Sequence, residues 1–89
     1  MSFKMVTSES RTFNNIDEMF NECQYPKGTI PAAAVKIGNN NYMPMVNVFD
    51  AMRTADTLKH IGHKQVSLAI YTPEFTEAGT ICITTTVYE

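Results

Sequence analysis

The chain has 89 residues, the size of one small domain spanning 1–89, so a two-domain enzyme with a cleft between its domains is excluded. Hydrophobic residues make up 44% and charged residues 18%, so the chain is apolar enough to fold and is poorer in charge than average proteins. The net charge is −2, so the chain lacks the excess of Lys and Arg that is typical of proteins that bind phosphate backbones. This argues against a nucleic-acid partner.

The cysteine usage and the first residues bear on the compartment. The chain begins without the apolar run of a signal peptide, and no stretch approaches the roughly 20 apolar residues that cross a bilayer. These features predict a soluble, cytoplasmic protein that does not contact a membrane. Cys23 falls on the apolar face of a predicted helix, so we expect a buried free thiol there rather than a disulfide with Cys82.

The first half of the chain predicts a weak strand over 3–9, an amphipathic helix and a hairpin. The helix has apolar residues at i, i+3, i+4 and i+7, namely Ile16, Met19, Phe20 and Cys23. Asn14 is its expected N-cap, and Pro26 predicts that it ends near Gln24. The hairpin strands are predicted at 32–37 and 42–46, and Pro44 either places the second strand at an edge or leaves it irregular.

The second half predicts another helix and two strands. The helix, over 48–61, is capped by Asn47 and stopped by Gly62. Two apolar and polar alternations then predict strands, joined by a connection over 73–79. The expected core consists of Ile16, Met19, Phe20, Met52, Leu58, Val66, Leu68, Ile70, Ile81 and Ile83.

The element order β-α-β-β-α-β-β predicts an α+β fold. We expect two amphipathic helices packed on one face of a mainly antiparallel sheet of four or five strands. A ferredoxin-like variant is one arrangement that this order allows.

The residues that usually carry chemistry do not form a recognisable motif. His60 and His63 have a spacing that binds metal only on one continuous helix, and Gly62 lies between them. Sequence alone leaves open whether either histidine approaches Cys23 or Cys82, but no glycine-rich loop accompanies the thiols. We therefore predict no metal, no cofactor and no catalytic residues, and the balance leans away from an enzyme.

The absence of charge in the last two strands is the most specific feature. Between Lys64 and Glu74, and again between Glu77 and Glu89, no residue carries a full charge. Outward positions on sheets usually carry Lys and Glu, which discourage association. The candidate self-association residues on these strands are Cys82, Thr84, Thr86 and Tyr88. The alternatives are that this face is covered within the chain or is a threonine-rich exposed surface.

Aromatic and methionine side chains mark candidate partner-binding positions. Tyr71 and Phe75 flank a proline in a predicted connection, and Tyr42 and Met43 lie near the hairpin tip. Such side chains often anchor protein interfaces, although each could equally pack onto the core.

These features predict a non-catalytic protein-binding module that self-associates as a homodimer or higher homo-oligomer. Its expected partner is another protein, and its type is that of an inhibitor or regulator, for which a viral origin is one option. The alternative is a small-ligand binder or minimal enzyme whose site forms between subunits, because a chain this short encloses a pocket poorly. For that alternative the residues to consider are Arg53, His60, His63, Tyr71 and Cys82.

Overall fold

The computed structural model of the chain describes residues 3–23, 25, 28–39 and 41–89. In these residues the chain forms a five-stranded sheet and two helices, which confirms the α+β class. The elements are β1 (Met5–Phe13), α1 (Ile16–Cys23), β2 (Ala33–Ile37), β3 (Asn41–Met45), α2 (Val48–His60), β4 (Val66–Phe75) and β5 (Ile81–Tyr88). The strand order is β1-β5-β4-β2-β3 and every pairing is antiparallel, so the order differs from the ferredoxin-like variant.

The two helices pack on opposite faces of the sheet, whereas the sequence predicted a shared face. Helix α2 packs on the face that presents Val35 and Leu68, which we call the α2 face. Helix α1 packs on the opposite face, the α1 face, where Phe13 and Ile81 lie. The helices cover different ends of the sheet as well as different faces, because α2 contacts β2, β3 and β4 while α1 contacts β1.

Helix α2 forms as its sequence predicts. The side-chain oxygen of Asn47 accepts hydrogen bonds from the backbone N–H groups of Phe49 and Asp50, and Gly62 follows the helix with a φ of +101°. Two fully buried alanines of α2 allow the helix to approach the sheet closely. This first core contains Ala33, Val35, Ala51, Ala55, Val66 and Leu68, with Met52, Leu58 and Ile70 half-buried around it.

Helix α1 closes the second core and corrects two predictions. The cap is Asn15, whose side-chain oxygen accepts from the Glu18 N–H at 2.8 Å, while the Asn14 amide donates to the Glu18 carboxylate. Ile16, predicted as core, is 49% exposed because it occupies the first position of the helix. The second core contains Phe13, Met19, Ile81 and Ile83, with Phe20 and Cys23 packed against it. Gln24, the predicted end of this helix, and Pro26, on which that prediction rests, lie outside the described residues.

Both prolines in strands lie where the sheet has an open side. Pro44 is in β3, an edge strand, as predicted. Pro73 is in β4, which extends to Phe75 instead of ending before the predicted connection. The backbone N–H of Tyr71 donates to the carbonyl of Ala32, which lies on the β2 side of β4. Pro73 is two residues further along, so its nitrogen faces the same side, beyond the end of β2. No ladder hydrogen bond is therefore lost at Pro73.

Candidate protein-binding surface

Helix α2 does not cover the whole of the α2 face of the sheet. Neither helix in the described part of the chain lies over the α2 face of β5 and β1, because α2 contacts β2, β3 and β4. The register aligns hydroxyl and thiol side chains there in facing pairs. We call this surface the open sector; it consists of Ser8, Ser10, Thr12, Cys82, Thr84 and Thr86. It contains three of the four residues that the sequence predicts for self-association.

Hydroxyl pairs join the two strands of the open sector. The Ser10 and Thr84 hydroxyls lie 2.8 Å apart, and those of Ser8 and Thr86 lie 3.4 Å apart. Each hydroxyl can donate one hydrogen bond and accept others, so both polarities remain available to a partner. Because the sector contains no charge, bringing two copies of it together involves no like-charge repulsion. Glu74 lies at its border, opposite Cys82.

Tyr88, the fourth predicted self-association residue, lies beside the open sector rather than in it. Its side chain is half-buried and packs against the core beneath α2. It lines an apolar groove of about 320 Å³ together with Phe3, Met52, Leu68 and Ile70. Phe49, one turn before Met52 on α2, is 75% exposed. Phe49 is not among the predicted binding residues, although it lies at the border of the apolar face of α2.

Strand β1 contributes half of the open sector and forms one edge of the sheet. It is nine residues long and pairs with β5 on its inner side, and within the described residues no strand pairs with its outer side. The other edge strand, β3, is only five residues long and contains Pro44, two features that protect an edge from further pairing. By comparison β1 lacks proline, and its register irregularity lies at its start, between Met5 and Thr7. The sequence predicted this strand only over 3–9.

The α1 face carries a tyrosine cluster that joins two predicted partner-binding residues. The Tyr42 and Tyr71 hydroxyls lie 3.0 Å apart, and the Tyr25 ring contacts the Tyr71 ring edge-on at 5.4 Å. Burial, followed by the hydrogen bond to Tyr42, raises the pKa of Tyr71 above its ordinary value. Burial, followed by the neighbouring Cys23 thiol, likewise raises the pKa of Tyr25. Both phenols therefore keep their protons at neutral pH, which suits hydrogen bonding and not general-base chemistry.

The other two predicted partner-binding residues lie apart from this cluster. Met43 is half-buried on the opposite face, where it packs against the core beneath α2. Phe75 ends β4 next to the turn to β5 and is 64% exposed. The four residues therefore do not form one continuous surface, although Tyr42, at 40% exposure, and Phe75 are both accessible.

The titratable and nucleophilic groups are dispersed over the described part of the chain. His63 lines a groove with Val87 and Glu89, at the opposite end of β5 from Cys82. Val87 is five positions along the strand from Cys82, a distance of about 16 Å. Both cysteines are free thiols, and they lie on opposite faces, Cys23 against the second core and Cys82 in the open sector. Among the described residues no three His, Cys, Asp or Glu side chains gather as a metal site. No described helix is long and apolar enough to cross a bilayer.

The groove that contains His63 lies at the end of the sheet where α2 ends. It has a volume of about 660 Å³ and is open to solvent. Lys36, Lys59 and His63 contribute basic groups to its lining, and Glu89 contributes one acid. The Lys59 ammonium also lies over the Phe3 ring, 4.2 Å from its centre.

Comparisons with protein-family models, with curated proteins and with solved structures find no match.

Proposed function

We propose that the protein is a non-catalytic protein-binding module, of inhibitor or regulator type, that self-associates through its charge-poor strands. The open sector carries the proposal, because it is an uncovered part of a sheet that presents hydroxyls and no charge. An isolated small domain normally places Lys or Glu at such positions. The accessible edge of β1 borders the same surface and gives it a second means of contact.

The surroundings of the open sector also suit protein binding. The apolar groove beneath Met52 includes Tyr88 of β5 and so lies next to the sector, and the exposed Phe49 is one turn from Met52 on α2. Aromatic and methionine side chains are enriched in protein interfaces. The dispersed His and Cys groups and the raised pKa values of Tyr25 and Tyr71 supply no catalytic arrangement in the described residues.

Self-association is tested by measuring mass over a dilution series. Light scattering and sedimentation equilibrium should show a concentration-dependent shift from 10.0 kDa towards twice that value. Two variants locate the contact: Thr84→Lys with Thr86→Lys introduces charge on the face of the sector, and Arg11→Glu reverses a charge at its edge. At least one of them should reduce the association. A wild-type chain that remains at 10.0 kDa at several hundred micromolar overturns this part of the proposal.

Partner binding is tested by comparing variants in a capture experiment with host extract. The wild-type protein should retain a specific protein that Phe49→Ala or Tyr42→Ala loses, because both side chains are accessible. Glu77→Gln, a substitution in the turn between β4 and β5, is the matched surface control and should retain the same protein. Recovery of no protein that depends on these side chains, together with turnover in a substrate screen, would contradict the binding-module assignment.

Small-ligand binding is the second candidate function, and the groove of about 660 Å³ favours it. The two lysines in its lining outnumber the one acid, Glu89, and therefore favour a small anion. A thermal-shift screen with nucleotides and carboxylate metabolites should then raise the melting temperature of the wild-type protein. Lys36→Gln should remove the shift. An absence of any stabilising compound would eliminate this candidate.

A further inference from the structure

We infer that two copies of the chain join through the outer edges of their β1 strands, in antiparallel register about a two-fold axis at Ser10. This inference rests on the proposed self-association and places the contact at the β1 edge that adjoins the open sector, instead of on the hydroxyl face of the sector. The occupant of the β1 edge is a second copy, and the result is one continuous ten-stranded sheet. Antiparallel joining of identical edges is a closed, isologous arrangement, the commonest symmetry of small oligomers.

The hydrogen-bond pattern identifies the backbone groups that face the open edge. Lys4 and Glu89 exchange both of their backbone hydrogen bonds, so Glu89 faces β1, and alternate residues of β5 face the same way. The β1 residues that pair with them therefore direct their backbone groups towards β5. These residues are Thr7, Glu9 and Arg11. The residues between them, Ser8, Ser10 and Thr12, direct their N–H and C=O groups to the outer side.

The charges on β1 select one register among those that the backbone allows. With Ser10 opposite its own copy, Glu9 lies opposite Arg11 of the second chain, and this pair occurs twice because of the symmetry. Shifting the axis to Glu9 places two carboxylates opposite each other, and shifting it to Arg11 places two guanidinium groups opposite each other. Like charges directly opposite destabilise a strand pair, and opposite charges stabilise it. The Ser10 register therefore satisfies both charges.

The same register satisfies the outward backbone groups and leaves the charged side chains accessible. Ser10 exchanges hydrogen bonds with its copy, and Ser8 exchanges them with Thr12 of the second chain in two symmetric pairs. Glu9 and Arg11 then occupy the non-hydrogen-bonded positions, where opposite side chains are closest. Arg11 is 56% exposed in its ion pair with Glu22, so its guanidinium can contact a second carboxylate. Glu9 is exposed and forms no ion pair with another described residue.

Joining the edges also unites the two open sectors. The two-fold axis is perpendicular to the sheet, so both α2 faces lie on the same side. Four strands, β5 and β1 of each copy, then separate the two α2 helices, a width of about 19 Å at about 4.8 Å per strand. An edge contact buries less area than a standard stable interface, so we expect reversible association that is measured at tens to hundreds of micromolar.

The main test uses charge reversal in a Glu22→Gln background. This background removes the carboxylate with which Arg11 forms its intrachain ion pair from every variant. Glu9→Arg and Arg11→Glu should each weaken dimerisation by about ten- to thirtyfold, because each creates two like-charge contacts. The double variant should regain most of the affinity, because both pairs are then opposite again. Glu22→Gln alone is the matched control and should dimerise like the wild type. Circular dichroism and melting temperature verify that each variant is folded.

Hydrogen exchange supplies a second test that requires no substitution. The amides of Ser8, Ser10 and Thr12 should become protected as the concentration rises, while those of Thr7, Glu9 and Arg11 are protected by β5 at every concentration. Thr84→Lys with Thr86→Lys should leave the dimer intact, since both residues lie one strand away from the joined edge.

Three results would overturn this inference. If the dimer is lost in the Thr84→Lys, Thr86→Lys variant but not in Arg11→Glu, the copies stack face to face, and the proposed function stands without the edge contact. If Arg11→Glu weakens association but Glu9→Arg with Arg11→Glu does not restore it, the register is wrong. If the wild type is monomeric throughout, the inference and the proposed self-association both fail.

Discussion

The hydroxyl of Tyr42 on β3 lies 3.0 Å from that of Tyr71 on β4, although 29 residues separate them in sequence. The hydrogen bond crosses the intervening strand β2 on the α1 face. It ties the short edge strand β3 to the centre of the sheet. Two residues that the sequence marks separately as binding positions therefore form one polar link, with Tyr25 against the Tyr71 ring.

Alkaline pH should destabilise the fold through the buried tyrosines. The pKa of Tyr71 is raised above 10.0 in the folded state, so the folded chain holds the proton more tightly than the unfolded chain. Stability is fully present below pH 10 and falls as the pH rises above it, because the unfolded state then loses the proton first. Thermal melts between pH 8 and 11 should show this decline, and Tyr71→Phe should make it shallower. An equal slope in both proteins would contradict the assignment.

Phe13 should be more important for stability than Phe20, which the sequence placed in the core. Phe13 is 1% exposed at the end of β1, whereas Phe20 is half-buried. Phe13→Ala should cost about 3 to 5 kcal/mol and Phe20→Ala roughly 1 to 3 kcal/mol, in urea unfolding. Ile16→Ala, at an exposed position, should cost less than about 1 kcal/mol. A reversed order for the two phenylalanines would mean that α1 packs through a different face.

The N-cap of α1 can be located by two adjacent substitutions. Asn15→Ala should lower the free energy of unfolding by about 1 kcal/mol, because the Glu18 N–H loses its acceptor. Asn14→Ala removes only an exposed hydrogen bond to the Glu18 carboxylate and should change it by less than about 0.5 kcal/mol. Asn47→Ala, at the cap of α2, provides the reference loss of about 1 kcal/mol. Equal effects at both positions of the α1 pair would contradict this cap.

The two cysteines should not form an intramolecular disulfide in the folded protein. Cys23 packs on the α1 face and Cys82 points to the α2 face, so the sheet separates the thiols. After mild oxidation, intact-mass analysis and non-reducing gels should show no internal cross-link, and each thiol should react with a small alkylating reagent once the chain is unfolded. Internal cross-linking without loss of the native circular-dichroism spectrum would contradict the facial assignment.

Local sequence determined the elements whose signals are short-range. Helix α2 follows from its apolar spacing, its Asn47 cap and the Gly62 stop, and all three act within a few residues. The edge position of β3 follows from Pro44, because proline lacks the N–H that an interior strand needs. The class of the fold and the alternation of Ile81 and Ile83 with Cys82 and Thr84 were determined in the same way.

Tertiary structure decided which side of each strand is buried and where β1 and β4 end. Alternation separates two sets of side chains but does not say which helix covers which set, so β5 buries Ile81 against α1 and packs Tyr88 against α2. Strand β1 has little hydrophobic alternation, and its length depends on pairing with β5, more than 70 residues away in sequence. The open sector has the same origin: its residues come from two segments that are far apart in sequence, and only the pairing of β1 with β5 brings them together.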